Sequence, residues 1–216
     1  MVTYGRIVSF TRQALINDDL RGFDRLVTGF GNSAARLENR TVYAILTANA
    51  ALGDGVALFH ATHANLAGAG TVIDVASLTA GRTAMRKQKG LQSEELNLAP
   101  AYLIVPAAIE GVAYQYTSGN YVPATAANVN EFRAGGRTAI EPVVEALLDG
   151  SSATAWYLAA NTGAVDTVEY CFLDGAEGPV IESEVGFEVD GISYKCREDF
   201  AAKAIDYRGL YKNAGA

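Results

Sequence analysis

The order of residue patterns along this 216-residue chain predicts an α+β fold. A helical period of apolar residues comes first, a short mixed region follows, and strand-like alternation dominates from Arg137 onward. The order does not show the regular strand–helix alternation that a nucleotide-binding sheet requires. Half of the residues are hydrophobic and 19% are charged, which is typical of a globular protein.

The N-terminal part is predicted to contain a strand and a long helix. Residues 3–16 have a strand-like pattern, and residues 17–19 (Asn-Asp-Asp) then supply an N-cap and an acidic first turn. Apolar positions recur at helical spacing for about thirty residues, or roughly 45 Å of helix. They are Leu20, Phe23, Val27, Phe30, Ala34, Leu37, Thr41 and Ile45. Glycines in this run suggest close packing against another backbone or a break near Gly29.

The middle of the chain is predicted to contain two further helices and a buried strand. Ser77 is placed to cap a helix that runs to Gly90, with basic residues in its last turn. Residues 102–106 (Tyr-Leu-Ile-Val-Pro) are all apolar, which indicates a short strand buried on both faces. The next helix is predicted over residues 107–116, with Pro106 at its start.

The chain then turns to strands, which are predicted over residues 138–148, 154–160 and 165–173. The clearest local signal is a hairpin in which Asp190 and Gly191 form a two-residue type I′ turn. In that register Glu184 faces Arg197, an opposite-charge pair that supports the pairing. The structure type of residues 200–211 is left open.

Charge is distributed unevenly along the sequence. Residues 1–140 carry 12 basic and 10 acidic side chains, whereas residues 141–206 carry 3 basic and 14 acidic ones. The net charge of −7 argues against a protein that coats nucleic acid, because such a protein usually has a basic surface. The acidic stretch is interpreted as a solvated face, or alternatively as a surface that meets a more basic part of a neighbouring subunit.

Cysteine usage and hydropathy exclude two further classes. Cys171 and Cys196 are too few for a disulfide framework, so they are interpreted as buried thiols in a reducing cytoplasm. No segment reaches 18 consecutive apolar residues, and the N-terminus lacks the layout of a signal peptide, so no contact with a membrane is predicted.

The two histidines of the chain are the main candidates for chemistry. His60 and His63 could share a metal ion with Asp54 or Asp74, so a small metal-dependent hydrolase is the alternative function. A metalloprotease helix, however, needs a spacing of four with a glutamate between, and alanine and threonine fill this gap. The pair is therefore interpreted as loop histidines that hydrogen-bond locally. No catalytic, cofactor-binding or metal-ligating residue is predicted.

Two other motifs are rejected on their context. Residues 29–34 match the dinucleotide fingerprint G-x-G-x-x-A, but they lie inside the helical period, where the required strand cannot precede them. Glu182, Glu184 and Glu188 alternate along one strand, which is typical of the solvent face of a sheet rather than of a pair of catalytic acids.

Several segments, in order, resemble the major head subunits of Mu-like tailed phages. They are SFTRQALINDDL (9–20), ALFHATHANL (57–66), LTAGRTAMR (78–86), YLIVP (102–106), VDGI (189–192) and KAIDYRGLYK (203–212). The resemblance covers essentially the whole chain. It implies the Hong-Kong-97-type capsid fold, which has a P-domain with a spine helix and a long sheet, and a central A-domain.

The resemblance also implies a division of the chain. Residues 1–17 would be the descending strand of a truncated E-loop, and residues 18–71 the P-domain spine helix with its following loop. Residues 72–150 would form the A-domain, 151–199 the P-domain strands, and 200–216 a tail that returns to the A-domain. The N-terminal arm, part of the E-loop and the fused prohead protease of the family would then be missing.

The function implied by the resemblance is structural rather than enzymatic. Such a major capsid (head) protein self-associates into capsomers and an icosahedral shell, needs no cofactor, and is made in the bacterial host cytoplasm before it enters the virion. The shell encloses double-stranded phage DNA, which its interior contacts without sequence specificity. Basic residues of the two helices would face acidic strand residues of a neighbouring copy. They are Arg21, Arg25, Arg36, Arg40, Arg82 and Arg86.

Overall fold

The computed structural model describes residues 1–17, 25–120, 130–186 and 190–216. Its contacts divide the chain into two units. The first unit consists of Met1–Ala44 and Tyr170–Lys203, and the second of Ile45–Glu169 and Ala204–Ala216. Each unit therefore combines an N-terminal segment with a segment from the C-terminal part of the sequence.

The first unit contains a sheet built around one long strand, β7 (Gly191–Ala204). Strand β1 (Val2–Thr11) runs antiparallel to β7 over ten residue pairs. Strands β5 (Val168–Phe172) and β6 (Val180–Gly186) also pair with β7, and the β6 pairing is antiparallel. One face of β7 carries the buried residues Cys196 and Phe200.

Two helices follow β1. Helix α1 (Arg12–Ile16) begins where the Thr11 side chain accepts a hydrogen bond from the Ala14 backbone, so the predicted strand ends earlier than expected. Helix α2 (Leu26–Ala48) runs without a break through Gly29 and Gly31. The predicted N-cap residue Asn17 is instead the C-cap of α1, where its backbone N–H donates to the Gln13 carbonyl at 3.1 Å. Asp18 and Asp19 of the predicted first turn, and the apolar positions Leu20 and Phe23, lie outside the described residues.

The helix glycines are not explained by packing within the described part of the chain. A Cβ atom added at Gly29 or Gly31 would meet no atom within 4 Å, and the helix is continuous at both positions. Neither the predicted close packing nor the predicted break near Gly29 is therefore seen. The buried positions of α2 instead include Phe30 and Ala34, which the helical period had identified.

The predicted Asp190–Gly191 hairpin turn is wrong. Gly191 lies inside β7 and pairs with Gly186, so four residues rather than two connect β6 to β7. The backbone N–H of Arg12 donates to the Asp190 carbonyl at 2.9 Å, which places Asp190 at the end of the β1–β7 ladder. Residues 187–189 of the connection lie outside the described residues.

The register of the hairpin is shifted with the turn. Arg197 faces Val180, and Glu184 faces Ser193, so the predicted Glu184–Arg197 pair does not form. An ion pair joins Glu182 to Lys195 instead, directly across the two strands. Because the shift is an even number of residues, each side chain stays on its predicted face.

The second unit contains a mixed four-stranded sheet in the order β3-β2-β4-β8. Strand β2 (Pro100–Val105) is parallel to β3 (Glu141–Val144) and antiparallel to β4 (Trp156–Ala160). Strand β8 (Leu210–Asn213) pairs with the other edge of β4. All five residues of β4 are buried, as expected for a strand inside the sheet.

Helix α3 (Val75–Arg86) lies against this sheet. Its N-cap is Asp74, which accepts from the Ser77 backbone N–H at 2.6 Å, while Ser77 completes a capping box. The prediction that Ser77 caps the helix is thus wrong by three residues, because the stronger acceptor lies earlier. The helix also ends before the predicted Gly90.

Helix α4 (Glu110–Thr117) follows a 3₁₀ turn after Pro106, close to prediction.

The two units do not divide where the sequence predicts a boundary. Strand β4 pairs with β2, so the strands after residue 150 do not form one group, and residues 45–71 belong to the second unit. The strands of the C-terminal part are shorter than predicted, and residues 200–211 contain the end of β7 and the start of β8. None of the described helices is both long and apolar enough to cross a bilayer.

Candidate functional site

His63 is buried in the second unit, where its ring and both of its nitrogens contact other residues of the chain. The residue is only 4% exposed, and its ring stacks on the Tyr207 ring at a centroid distance of 3.7 Å. Its Nε2 lies 2.8 Å from a carboxylate oxygen of Asp54, and its Nδ1 lies 3.1 Å from the Leu58 carbonyl. Because both ring nitrogens face oxygen atoms of the chain, neither is free to bind a metal ion.

The loop around His63 is fixed by amide side chains. Asn65 is fully buried, and its Nδ2 donates to the Leu58 carbonyl at 2.8 Å while its Oδ1 accepts from the His60 backbone at 3.1 Å. Gln88 donates to the His63 carbonyl at 2.9 Å. These bonds satisfy backbone groups that a buried loop would otherwise leave unpaired, so the loop is a structural element.

The other candidate ligands are engaged separately. His60 is exposed, and its Nδ1 accepts from the Thr62 backbone N–H at 3.1 Å. Asp74 caps α3, whereas Asp54 accepts from the Val56 backbone and contacts His63. The Val56 N–H, followed by the His63 side chain, lowers the pKa of Asp54.

The arrangement gives no support to the metal-dependent hydrolase. In the ranges that the structure describes, no group of three or more His, Cys, Asp and Glu side chains is placed to hold a metal ion. The interpretation of His60 and His63 as locally hydrogen-bonded histidines is confirmed by their contacts.

A pair of carboxyl groups that the sequence analysis missed lies in the first unit. Glu198 of β7 is 3% exposed, and it is approached by the carboxyl group of Glu38 on α2. Burial, followed by the neighbouring Glu38 carboxyl, raises the pKa of Glu198 to about 7. A sequence signal existed, because Glu198 takes the place of an apolar residue between Cys196 and Phe200 in the buried row of β7.

Cysteine exposure also differs from prediction. Cys196 is buried, but Cys171 of β5 is exposed, and both are free thiols. Burial, with a smaller contribution from the charge of Glu198, raises the pKa of the Cys196 thiol, which makes it less reactive than an exposed cysteine.

Two of the basic residues expected at an interface are already engaged within the chain. Arg82 bonds to Glu131 at 2.6 Å and lies over the Phe132 ring, and it lowers the pKa of Glu131. Arg86 bonds to Asn97 at 2.8 Å. These contacts lie inside the second unit, so Arg82 and Arg86 already have partners within the chain.

Three basic residues of the first unit remain candidates for contacts with another copy. Arg25, Arg36 and Arg40 are exposed at or near α2 and form no ion pair with any residue that the structure describes. The remaining one, Arg21, lies outside the described residues. On the acidic side, Glu184 is exposed on β6 and has no ion-pair partner within the described ranges.

The two units of the fold have a similar balance of charge, although the charge is distributed unevenly along the sequence. The first unit contains 9 basic and 12 acidic residues, and the second contains 8 basic and 12 acidic residues. The reason is that the acidic C-terminal strands join both units. Any electrostatic contact between copies therefore depends on local patches, not on oppositely charged halves.

Comparison with solved structures defines the fold class. A structure from Mycobacterium phage Patience has a TM-score of 0.62 at 12% identity and covers 100% of this chain and 70% of that chain. The capsid of Myoviridae phage XM1 has a TM-score of 0.60 at 12% identity, with 100% and 73% covered. A phage-related protein from Bordetella bronchiseptica RB50 has a TM-score of 0.59 at 12% identity, with 98% and 74% covered. The chain has the Hong-Kong-97-type capsid fold, and the predicted α+β class is confirmed.

Comparison with protein families then gives the identity. The family described as phage capsid protein matches residues 1–213, so the chain belongs to that family. Its function is that of a structural major capsid protein, which assembles with other subunits into a shell. None of the curated proteins matches the chain significantly.

Proposed function

We propose that the chain is the major head subunit of a Mu-like tailed phage and that it has no catalytic activity. The observation that carries the proposal is the family match over residues 1–213. The Mu-like assignment rests on the sequence segments that resemble those subunits, such as residues 57–66 and 203–212. The absence of activity is supported by His63, whose two nitrogens are both engaged by the chain itself.

The division into capsid domains follows from the same proposal. The first unit, with α2 and the long strand β7, corresponds to the P-domain with its spine helix and sheet. The second unit, with the β3-β2-β4-β8 sheet, corresponds to the A-domain. These assignments differ from the ranges predicted from sequence, because β4 and residues 45–71 group with the second unit.

In the proposed assembly each copy binds the next through two unlike surfaces. A ring of subunits has heterologous contacts, in which one surface of each copy meets a different surface of its neighbour. Arg25, Arg36 and Arg40 would supply the basic side of one contact, and exposed strand carboxylates such as Glu184 the acidic side. The completed icosahedral shell encloses double-stranded DNA, which it contacts without sequence specificity.

The test is the protein content of phage particles from cells that carry this sequence. The chain is expected to be the most abundant protein in nuclease-resistant, DNA-filled particles, as measured by quantitative peptide mass spectrometry. Purified particles that lack the chain, with the chain recovered only from the soluble fraction, would contradict the proposal. Tail proteins identified in the same particles serve as the control for purity.

A further inference from the structure

Two neighbouring carboxyl groups in the first unit have no ion-pair partner among the residues that the structure describes. Glu198 is only 3% exposed, and neither of its carboxyl oxygens accepts a hydrogen bond from any residue that the structure describes. The neighbouring group that acts on it is the carboxyl of Glu38 on α2. A buried carboxylate without a partner is costly, and a second carboxylate beside it adds repulsion.

Both residues stand where the surrounding pattern places apolar side chains. On β7, Glu198 alternates with Cys196 and Phe200, which are 9% and 1% exposed. On α2, Glu38 follows the buried residues Phe30 and Ala34 at four-residue spacing. The two carboxyl groups therefore occupy positions that the pattern of the helix and the pattern of the strand assign to apolar side chains.

Among the residues that the structure describes, the other elements of the unit bring no charge that forms an ion pair with either carboxyl group. Tyr4 of β1 pairs with Glu198, and the exposed Arg6 pairs with Cys196 but forms no ion pair with a described residue. Lys195, Arg197 and Asp199 point to the opposite face of the sheet, because side chains alternate along a strand. The titratable or charged groups on the same face as Glu198 are Glu38, Tyr4, Arg6, Cys196, Tyr194 and Tyr170.

We propose that Glu38 and Glu198 share one proton and act as a pH-sensitive latch between α2 and the sheet. When the proton is bound, the protonated carboxyl donates an O–H bond to the other carboxylate, and the helix is held against β7. When the proton leaves, both groups are charged and the donor is lost, so the contact loosens and admits water. The latch concerns a transition within one subunit and goes beyond the proposed function in assembly.

The direction of the pH effect follows from the raised pKa of Glu198. Between the usual value of 4.5 and about 7, the closed state binds a proton that the open state has released. The stabilisation is fully present below pH 4.5 and is lost as the pH rises through about 7. From pH 6 to pH 8, these two pKa values predict that opening of the contact becomes about tenfold more favourable.

The shared proton is tested by nuclear magnetic resonance on the full chain with ¹³C-labelled glutamate side chains. We expect one carboxyl resonance to titrate near pH 7, to vanish in Glu198→Gln, and to titrate at lower pH in Glu38→Gln. Glu184→Gln, which makes the same charge change on an exposed strand position, should leave this resonance unchanged. If every glutamate titrates below about pH 5.5, as ordinary carboxyl groups do, the proposal is overturned.

The latch itself is tested by amide hydrogen exchange in α2 at pH 6 and pH 8, corrected for the intrinsic effect of pH on exchange. In the wild type, protection of residues 30–44 should fall by about tenfold at pH 8. In Glu198→Gln the change should disappear, and in Glu38→Gln, where Glu198 titrates at lower pH, it should become smaller. Amides of β4 in the second unit give the internal reference. If the protection of α2 amides changes equally in the wild type and in the variants, the proposed latch is overturned.

Discussion

His63 shows how a residue of reactive chemistry can serve structure. Its ring stacks on the Tyr207 ring in the second unit, and each of its nitrogens lies within hydrogen-bonding distance of an oxygen atom. Removal of the ring leaves a cavity and frees the Leu58 carbonyl and Asp54 from one partner each. The residue therefore contributes to stability through packing and hydrogen bonds together.

We predict that His63→Ala lowers the free energy of unfolding by about 2–4 kcal/mol. His60→Ala is the matched control, because His60 is exposed and loses only the cap of a 3₁₀ turn, which costs about 1 kcal/mol or less. Urea denaturation of both variants measures the difference. Equal effects of the two substitutions would contradict the claim that the buried contacts of His63 stabilise the fold.

We also predict that the purified chain binds no stoichiometric zinc or manganese. The reason is that His63 has no free nitrogen and that Asp74 is engaged in capping α3. Elemental analysis after dialysis against each metal gives the answer. A signal of one metal ion per chain that is lost in His60→Ala would contradict this prediction and support the metal-dependent hydrolase.

Only some contacts of the two histidines and of the carboxyl pair could be predicted from the sequence. Local bonds such as His60 to Thr62 follow from short loop spacing and could be expected. The stacking of His63 on Tyr207 joins segments far apart in sequence, and so does the meeting of Glu38 and Glu198. Such contacts depend on the tertiary fold, for which a single sequence gives no direct signal.

At the scale of elements, the packing of α3 explains one glycine and leaves others unexplained. A Cβ atom at Gly81 would lie 2.7 Å from Leu158 and 3.0 Å from the Tyr211 ring, so the helix approaches the sheet closely there. At Gly29 and Gly31 of α2 there is open space. Glycine therefore permits close packing in α3, whereas in α2 it lies in open space that a larger side chain could occupy.

We predict that Gly81→Ala destabilises the chain by about 1–3 kcal/mol, because overpacking outweighs the better helix propensity of alanine. Gly29→Ala should instead stabilise the chain by about 0.5–1 kcal/mol. Chemical denaturation of the two variants in parallel tests both. If Gly81→Ala is neutral, α3 can move away from β4 more easily than the structure indicates.

The hairpin shows which element properties a sequence encodes locally. Alternation correctly predicted strand structure at residues 192–195 and the shared face of Val185 and Ile192. The register failed, because the Asp-Gly turn signal is local whereas β7 is held by ten residue pairs with β1 on its other edge. Apolar pairs such as Val185 with Ile192 and the Glu182–Lys195 ion pair fit the observed register.

At the scale of the whole molecule, charge alone does not define two complementary halves. Both units have a similar net negative charge, since the acidic segment Tyr170–Lys203, which includes β6 and β7, belongs to the first unit together with the N-terminal helix region. Contacts between copies must therefore use local groups, of which Arg36 and Arg40 on α2 are the clearest basic pair. Exposed ion pairs contribute only about 0–1 kcal/mol each, so they set register more than affinity.

We predict that the double substitution Arg36→Glu and Arg40→Glu weakens association between copies more than Lys87→Glu does. Lys87 is an exposed cation in the second unit and serves as a control for charge reversal. Association of the wild type should also weaken toward about 1 M salt, where the Debye length falls to about 3 Å. Light scattering at both salt levels measures these effects, and identical values for all three proteins would exclude α2 from the interface.

Self-association is the central claim, and sedimentation velocity of the purified full chain over a series of concentrations tests it most directly. Since the chain belongs to a family of shell proteins, we predict that its mass rises with concentration to that of capsomers or larger particles. Electron microscopy of the same fractions should show rings or shells. A single species with the mass of one 216-residue chain, at every concentration and at low and high salt, would contradict the account.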